Sequence, residues 1–148
     1  MISIKWITGN TDLEDVHDIR RKVFIEEQHV PKELELDGTD GACIHLLVFE
    51  NKIPVATGRI LIEGNKFTLG RIAVLKEYRK QKYGGLVVKM LIRSSYNMGA
   101  DMQYIHAQAY ASDFYKKLGF IAYGNPFIEA NIEHISMVHE GDWEGDCR

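Results

Sequence analysis

The sequence is poor in cysteine and contains no long apolar run. It has two cysteines in 148 residues, Cys43 and Cys147, without the close spacing of a metal-binding or redox motif. Residues 1–24 lack an uncharged apolar core of signal-peptide length, and no later run approaches the roughly 20 apolar residues of a membrane helix. We therefore expect a cytoplasmic protein in a reducing compartment, with no membrane partner and no bound metal.

The chain also lacks an excess of basic residues. Eighteen Lys and Arg stand against 21 Asp and Glu, which gives a net charge of -3 and a pI near 6.1. A general nucleic-acid-binding surface requires a basic patch or stripe, so we expect no nucleic-acid partner. The 45% hydrophobic content is ordinary for a globular protein, and no repeat or linker divides the chain. Residues 1–148 are therefore predicted to form a single domain.

One stretch combines a buried strand, a basic turn and a helix. The apolar run 72–75 predicts the strand, the turn contains lysine and arginine and ends at Gly84-Gly85, and apolar residues then recur at helical spacing until Gly99. The first amides of a helix have no intrahelical acceptor, and the helix dipole favours an anion beside them. Glycine lets the backbone approach such a ligand closely. The stretch therefore predicts an anion site, for which a solvated surface turn is the alternative interpretation.

The remaining periodicities predict an α/β fold: a mixed β-sheet flanked by helices on both faces. Apolar residues at helical spacing predict a first helix over 13–24, and an acidic stretch broken by Pro31 and Gly38 predicts a loop after it. A short helix is expected over 112–117. The predicted strands are 2–7, 44–50, 54–62, 66–75, 103–109, 121–127 and 133–139.

Two motifs in this order resemble those of the GCN5-related N-acetyltransferases (GNAT). Arg79-Lys80-Gln81-Lys82-Tyr83-Gly84 resembles the R/Q-x-x-G-x-G/A loop that holds the pyrophosphate of acetyl-CoA, with Lys82 where the pattern has its first glycine. Residues 108–120, QAYASDFYKKLGF, resemble the family segment N-x-x-A-x-x-[LF]-Y-x-x-x-G-F, with Gln108 in place of asparagine. Further segments resemble the ElaA/YjcF-like branch of that family: 20–28, 35–40, 45–46, 106–108, 127–129 and 134–137.

This resemblance implies an acetyl-CoA-dependent N-acetyltransferase that moves the acetyl group directly from the thioester to a primary amine on a small molecule or peptide. It implies that backbone groups of Ile72, Ala73 and Val74 bind the pantetheine arm of the donor. The pyrophosphate would lie over the following loop, formed by Arg79, Lys80, Gln81, Lys82, Tyr83, Gly84 and Gly85. Members of the family often form homodimers, so a homodimer is a further expectation.

The resemblance also suggests catalytic residues. Tyr115 occupies the position of the family's thiolate-protonating tyrosine, although its spacing alone would favour a core aromatic residue. Glu27 is the first candidate for the general base, acting directly or through water, and His45 is the second. His45 lies in an apolar run, where a hydrogen-bonded core histidine is the alternative. His106 and Gln108 would line the acceptor side, or else satisfy buried backbone groups.

The acidic stretch after the first helix suggests the nature of the acceptor. Six carboxylates, those of Glu26, Glu27, Glu33, Glu35, Asp37 and Asp40, stand there against Lys32 alone. In the family fold this region lies over the acceptor side, so clustered negative charge would favour a cationic acceptor. An ordinary solvated loop is the alternative. Because Lys82 and Gln108 depart from the family patterns, a non-catalytic acyl-CoA-binding domain is the alternative function.

Overall fold

A seven-stranded mixed sheet forms the centre of the protein, as seen in a computed structural model that describes residues 1–9 and 11–143. The strand order is β1-β2-β3-β4-β5-β7-β6, and all neighbouring strands are antiparallel except β4 and β5. The strands are β1 (Ile2–Thr8), β2 (Cys43–Glu50), β3 (Ile53–Glu63), β4 (Lys66–Val74), β5 (Met102–Gln108), β6 (Ile121–Glu129) and β7 (Ile132–Glu140). All seven predicted strands are confirmed, with ends that differ by a few residues.

Helices cover both faces of the sheet, as expected. Successive residues of β2 alternate between two apolar clusters: Leu47 packs beneath the first helix, α1 (Glu14–Arg20), while Leu46 and Val48 pack against α3 (Tyr83–Asn97). The α3 cluster is the larger one and continues to the short helix α4 (Ser112–Lys117). The helix α2 (Lys32–Glu35) lies in the acidic stretch, where the sequence predicted loop.

A β-bulge in β4 separates its second half from β5. The pairing of β3 with β4 jumps from Thr57↔Ala73 to Arg59↔Gly70, so β4 contains one extra residue at Arg71, whose φ is 49°. Opposite the bulge, an added Cβ on Gly58 would lie 2.7 Å from Val87 Cγ1 of α3, so glycine is required for the helix to pack there. Pairing of β4 with β5 is confined to residues 67–69 and 103–105. Beyond Leu69 the two strands diverge and leave a gap in the sheet.

The first helix changes its hydrogen-bonding pattern after Arg20. Residues Arg21–Glu27 form a π-helical segment, and the amides of Gln28 and Val30 continue the wide turns by donating to Val23 and Phe24 carbonyls at 3.2 and 2.9 Å. The predicted helix over 13–24 is thus correct in place, and it is α-helical over Glu14–Arg20 but π-helical after Arg20. π-helical turns are rare and occur often at functional sites. This one ends beside the gap between β4 and β5.

The acidic stretch is largely neutralised by arginines within the protein. Glu35, which is 2% exposed, accepts from Arg20 Nε at 3.0 Å, and Asp40 accepts from Arg20 and Arg59 at 2.8 and 2.9 Å. Arg71 Nε lies 2.9 Å from Glu35 Oε2, as an ion pair without hydrogen-bond alignment. We call Arg20, Arg59 and Arg71 with Glu35, Asp37 and Asp40 the buried charge network. The alternative of an ordinary solvated loop is therefore wrong for Glu35 and Asp40, whereas Asp37 is exposed to solvent but paired with Arg59 and Arg71.

Candidate active site

The gap between β4 and β5 forms a cleft that leads to the N-terminus of α3. Residues 70–74 of β4 and 106–108 of β5 line its two sides and have no strand partner across it within the described residues. Ile72 and Val74 are half-buried on the side toward α3, whereas Ala73 is 3% exposed and packs beneath α1. The backbone edge of the three residues predicted to bind pantetheine is therefore free of strand pairing on the cleft side.

The segment after β4 is a 3₁₀ helix (Lys76–Gln81) rather than the open loop that the sequence predicted. Lys82 follows it in the left-handed conformation, with φ 65°, and directly precedes α3. This conformation explains why the family pattern has glycine here: a residue with a Cβ pays about 1–2 kcal/mol for it. Lys82 nevertheless adopts the backbone geometry that a glycine would give. The side chains of Lys80, Gln81 and Lys82 are exposed.

The two glycines at the start of α3 leave different amounts of space. A Cβ added to Gly84 would meet Phe114 Cζ at 3.5 Å and Val74 Cγ2 at 3.9 Å, whereas one on Gly85 would meet nothing within 4 Å. The first helix amides in this turn have no intrahelical acceptors, so they can bind an anion. Gly84 therefore lies where β4, α3 and α4 meet, and a side chain there would fill that junction.

Tyr83 is the one residue of the predicted phosphate loop whose side chain the structure places in the core. It is 2% exposed, and its hydroxyl donates to Glu50 Oε1 at 2.5 Å. Burial, followed by the Glu50 contacts, raises the pKa of Tyr83 to about 12. Because this side chain lies in the core, the prediction that Tyr83 binds the cofactor can concern only its backbone amide.

Arg79 does not point freely into solvent. Its Nε donates to the Val74 carbonyl at 3.0 Å, and its Nη2 lies 2.5 Å from Glu27 Oε1. The guanidinium thus joins the end of β4 to the end of the π-helical segment. Two residues predicted for different roles, a phosphate ligand and a general base, are in direct contact here.

Gln28 makes the matching contact on the other side of the cleft. Gln108 Nε2, at the end of β5, donates to Gln28 Oε1 at 2.8 Å, and Gln28 Nε2 lies 3.5 Å from the Tyr110 hydroxyl. Residues 27 and 28 together therefore bridge the mouth of the cleft. Sequence reasoning missed Gln28 as a site residue, although the Glu27-Gln28 pair was part of the family resemblance.

Tyr115 lies in the larger core cluster at 8% exposure, with its ring 5.7 Å from that of Phe120 and 5.0 Å from that of Phe114. Its hydroxyl has no hydrogen-bond partner among the described residues. Burial, with a smaller contribution from Tyr110, raises the pKa of Tyr115, so the hydroxyl stays protonated at neutral pH. The core-aromatic interpretation of its position is therefore correct as far as packing goes.

His45 is not at the cleft. It is 0% exposed on β2, its Nε2 lies 3.2 Å from the Asp40 carbonyl oxygen, and its Nδ1 is buried without a partner. Burial lowers the pKa of His45, and the Asp40 contacts oppose this only in part. Because a fully buried side chain cannot contact an acceptor, the prediction of His45 as a general base is wrong. The alternative, a core histidine, is correct.

His106 is exposed on the same face of β5 as Gln108, and its ring packs edge-on against Phe127 with centroids 5.3 Å apart. Phe127 stacks on His134, which is the β7 partner of Gln108. These rings form a wall beside the cleft. Both residues predicted for the acceptor side, His106 and Gln108, thus lie along one edge of the cleft.

We also considered other places where a ligand, a metal ion or a membrane could bind. A depression of about 520 Å³ lies at the opposite end of β4 and β5, around Phe67, Met98 and Tyr104. No group of three or more potential metal ligands occurs within residues 1–9 and 11–143. None of the helices in that part of the chain is both long and apolar enough to cross a bilayer. Cys43 is a buried free thiol, and Cys147 lies outside the described residues.

Comparison with known proteins identifies the family. Residues 10–140 match the family described as "Acetyltransferase (GNAT) domain". The chain belongs to the GNAT acetyltransferases. Its relatives include the N-acetyltransferase YjcF of Bacillus subtilis, which is 34% identical over 129 residues, or 86% of this chain and 92% of YjcF. This acetyltransferase is therefore an acyltransferase enzyme of the acyl-CoA-dependent N-acetyltransferase class.

Solved structures agree with this assignment. The crystal structure of Escherichia coli ElaA has a TM-score of 0.85 and 28% identity, covering 95% of this chain and all of ElaA, so the acetyltransferase belongs to an ElaA/YjcF-like branch. A GNAT acetyltransferase of Elizabethkingia anophelis with acetyl-CoA bound has a TM-score of 0.72 and 19% identity, covering 94% of this chain and 97% of that one. At that identity the likeness concerns the fold alone.

Proposed function

We propose that this acetyltransferase transfers an acetyl group directly from acetyl-CoA to a primary amine in the cleft between β4 and β5. The observation that carries the proposal is the cleft itself: an unpaired strand edge at residues 70–74 leads straight to the free amides at the N-terminus of α3. An extended amide-bearing arm can pair with such an edge, and a pyrophosphate can bind such amides. Acetyl-CoA carries both groups in that order.

The donor would be held mainly by backbone. Edge groups of Ile72, Ala73 and Val74 would pair with pantetheine, and the first amides of α3 would hold the pyrophosphate. The exposed lysines of this segment, Lys80 and Lys82, would add positive charge around it. Gly84 keeps the junction between Val74 and Phe114 clear of a side chain.

In the reaction, the amine nitrogen forms a bond to the thioester carbonyl carbon, and the carbon–sulfur bond then breaks. The amine loses one proton, for which Glu27 at the cleft mouth is the proposed acceptor, directly or through water. The thiolate leaving group gains one proton, which it takes up from water, so that the proton lost by the amine balances the proton gained by the sulfur. A phenol with a raised pKa is a weaker acid than a thiol, so Tyr115 would assist by donating a hydrogen bond to the sulfur as the bond breaks.

The acceptor is proposed to be a primary amine. A further positive charge on it was expected from the acidic stretch, but most of those carboxylates are paired within the protein. Glu35, Asp37 and Asp40 are paired with arginines, Glu26 is paired with Arg21 at 3.2 Å, and Glu27 is paired with Arg79. The aromatic wall of His106, Phe127 and His134 lies beside Gln108 instead. We therefore propose selection of the acceptor by contacts with this wall rather than by a diffuse negative field.

The test is release of free thiol from acetyl-CoA by the purified protein across a panel of amines, with neutral, cationic and aromatic members. We expect amine-dependent thiol release together with formation of the acetylated amine. Tyr115→Phe should lower kcat about 100-fold, the effect typical of losing one hydrogen-bond donor to charge that develops in the transition state, with little change in CoA affinity. CoA binding without any amine-dependent release would contradict the proposal and favour the non-catalytic acyl-CoA-binding alternative.

A further inference from the structure

The Arg79 side chain contacts two groups at the proposed donor site. Its Nε donates a hydrogen bond to the Val74 carbonyl at 3.0 Å, at the end of the strand that is proposed to bind pantetheine. Its Nη2 lies 2.5 Å from Glu27 Oε1. Arg79 also lies three residues before Lys82, where the proposed pyrophosphate site begins. The guanidinium therefore holds the Glu27 carboxylate at the place where a second anion, the pyrophosphate, is expected to arrive.

Two anions cannot both use the same face of one guanidinium. Arginine binds carboxylate and phosphate through the same fork of N–H groups, and phosphate brings more negative charge. Glu27 and a bound pyrophosphate would also repel each other. On the basis of the proposed function, we propose that Arg79 exchanges Glu27 and the Val74 carbonyl for the donor's pyrophosphate. Donor binding would thereby release the Glu27 carboxylate for the acceptor amine.

The surroundings of the pair suit such an exchange. The side chains of Arg79 and Glu27 are 41% and 32% exposed, and exposed ion pairs contribute little net free energy, so the contact breaks at small cost. The neighbouring Gln28 remains attached to Gln108 at the end of β5. When Arg79 leaves, the π-helical segment is still anchored, and Glu27 stays at the mouth of the cleft. Before the donor binds, Glu27 thus holds Arg79 in position. After the donor binds, the Glu27 carboxylate is available to the amine.

The exchange predicts that one substitution at the site increases the affinity for CoA. If Glu27 competes with the donor for Arg79, then removing its charge should strengthen donor binding. We expect Glu27→Gln to tighten CoA binding about 2- to 5-fold, the size of one exposed ion pair. A residue with a merely supporting role would weaken binding, or leave it unchanged, when altered.

Calorimetric titration with CoA tests this in a double-mutant cycle. The variants are Glu27→Gln, Arg79→Gln, their combination and the control Glu26→Gln, which removes the same charge one position earlier from an exposed residue paired with Arg21. We expect tighter binding for Glu27→Gln, weaker binding for Arg79→Gln and no change for the control. In the Arg79→Gln background, Glu27→Gln should no longer strengthen binding, because the two residues then have nothing to exchange.

Weaker or unchanged CoA binding by Glu27→Gln would overturn the exchange, as would an equal gain in the Arg79→Gln background. Arg79→Lys, which keeps the charge but loses the fork, provides a second variant should Arg79→Gln fold poorly, and it should also bind CoA more weakly. These outcomes differ from failure of the proposed function, in which the wild-type protein either does not bind CoA or binds it without amine-dependent thiol release.

Discussion

The protein pairs arginines with carboxylates in two neighbouring regions, and the two pairings differ in burial. In the buried charge network, Arg20 and Glu35 are 0% and 2% exposed and bind each other through two oxygens, at 3.2 and 3.0 Å. In the pair at the cleft mouth, Arg79 and Glu27 are 41% and 32% exposed and share one short contact. Both pairings begin on the same stretch of chain, residues 20–27.

This difference in burial gives the two arginine–carboxylate pairings different roles. A buried ion pair cannot be opened without leaving a charge in a medium that solvates it poorly, so the network fixes the acidic segment over the sheet. An exposed pair can exchange partners at little cost. The same residue types thus serve as a permanent anchor at one end of the stretch and as an exchangeable contact at the other.

The largest expected effect comes from breaking the buried side of this comparison. Glu35→Gln should lower the free energy of unfolding by about 3 kcal/mol, because the fully buried Arg20 then keeps only Asp40 as a counter-charge. Glu27→Gln should change it by about 1 kcal/mol or less. Urea unfolding monitored by circular dichroism measures both, and similar losses in the two variants would contradict the assigned roles.

Acid should also weaken the buried charge network. Burial alone would raise the pKa of Asp37 and Asp40, but hydrogen bonds from Arg59 and Thr39 lower that of Asp37 to about 2, and contacts with Arg20, His17 and Arg59 lower that of Asp40 further. Both lie below the ordinary 3.8, so the unfolded chain binds more protons. Their stabilisation is present above about pH 4 and is lost as the pH falls toward 2.

Unfolding free energies measured between pH 5 and 2 test this dependence. Asp37→Asn should flatten the decline, because its carboxyl no longer titrates, whereas Glu27→Gln should leave the slope close to that of the wild type. A slope unaffected by Asp37→Asn would mean that other groups govern acid unfolding.

A third change concerns the donor end of the cleft. Gly84→Val should weaken CoA binding by about tenfold or more, because its methyl groups extend beyond a Cβ that already meets Phe114 and Val74. Gly84→Ala should have a small effect, and Lys76→Ala should have none. Calorimetry decides, and equal affinities for Gly84→Val and Lys76→Ala would contradict the placement of the pyrophosphate.

The smallest expected effect concerns backbone strain beside the exposed pair. Lys82→Gly should raise the free energy of unfolding by about 0.5–1 kcal/mol, because glycine adopts a φ of 65° without steric cost. Lys80→Gly, within the 3₁₀ helix, should lower it instead. Thermal unfolding of the two variants compares them directly, and a loss of stability in Lys82→Gly would contradict the strain assigned to Lys82.

Much of the fold could be predicted from sequence because it depends on periodicity. Alternation in β2 and helical spacing in α3 repeat over many residues, and the two family motifs fix the cleft between them. The π-helical segment could not be predicted, since Val23 and Phe24 continue the apolar stripe whichever hydrogen-bonding pattern the backbone adopts. The pairings of Glu35 and Glu27 also escaped prediction, because their arginines are distant in sequence and charge counts do not say which carboxylates are buried.

Donor binding in the cleft is the central prediction, and amide hydrogen exchange with and without CoA tests it directly. We predict that CoA slows exchange in peptides covering residues 72–75 and 82–86, the strand edge and the start of α3. Peptides around the depression at residues 98–104 should not change. Protection confined to residues 98–104, or none in either half of the cleft while CoA is bound, would contradict the central claim.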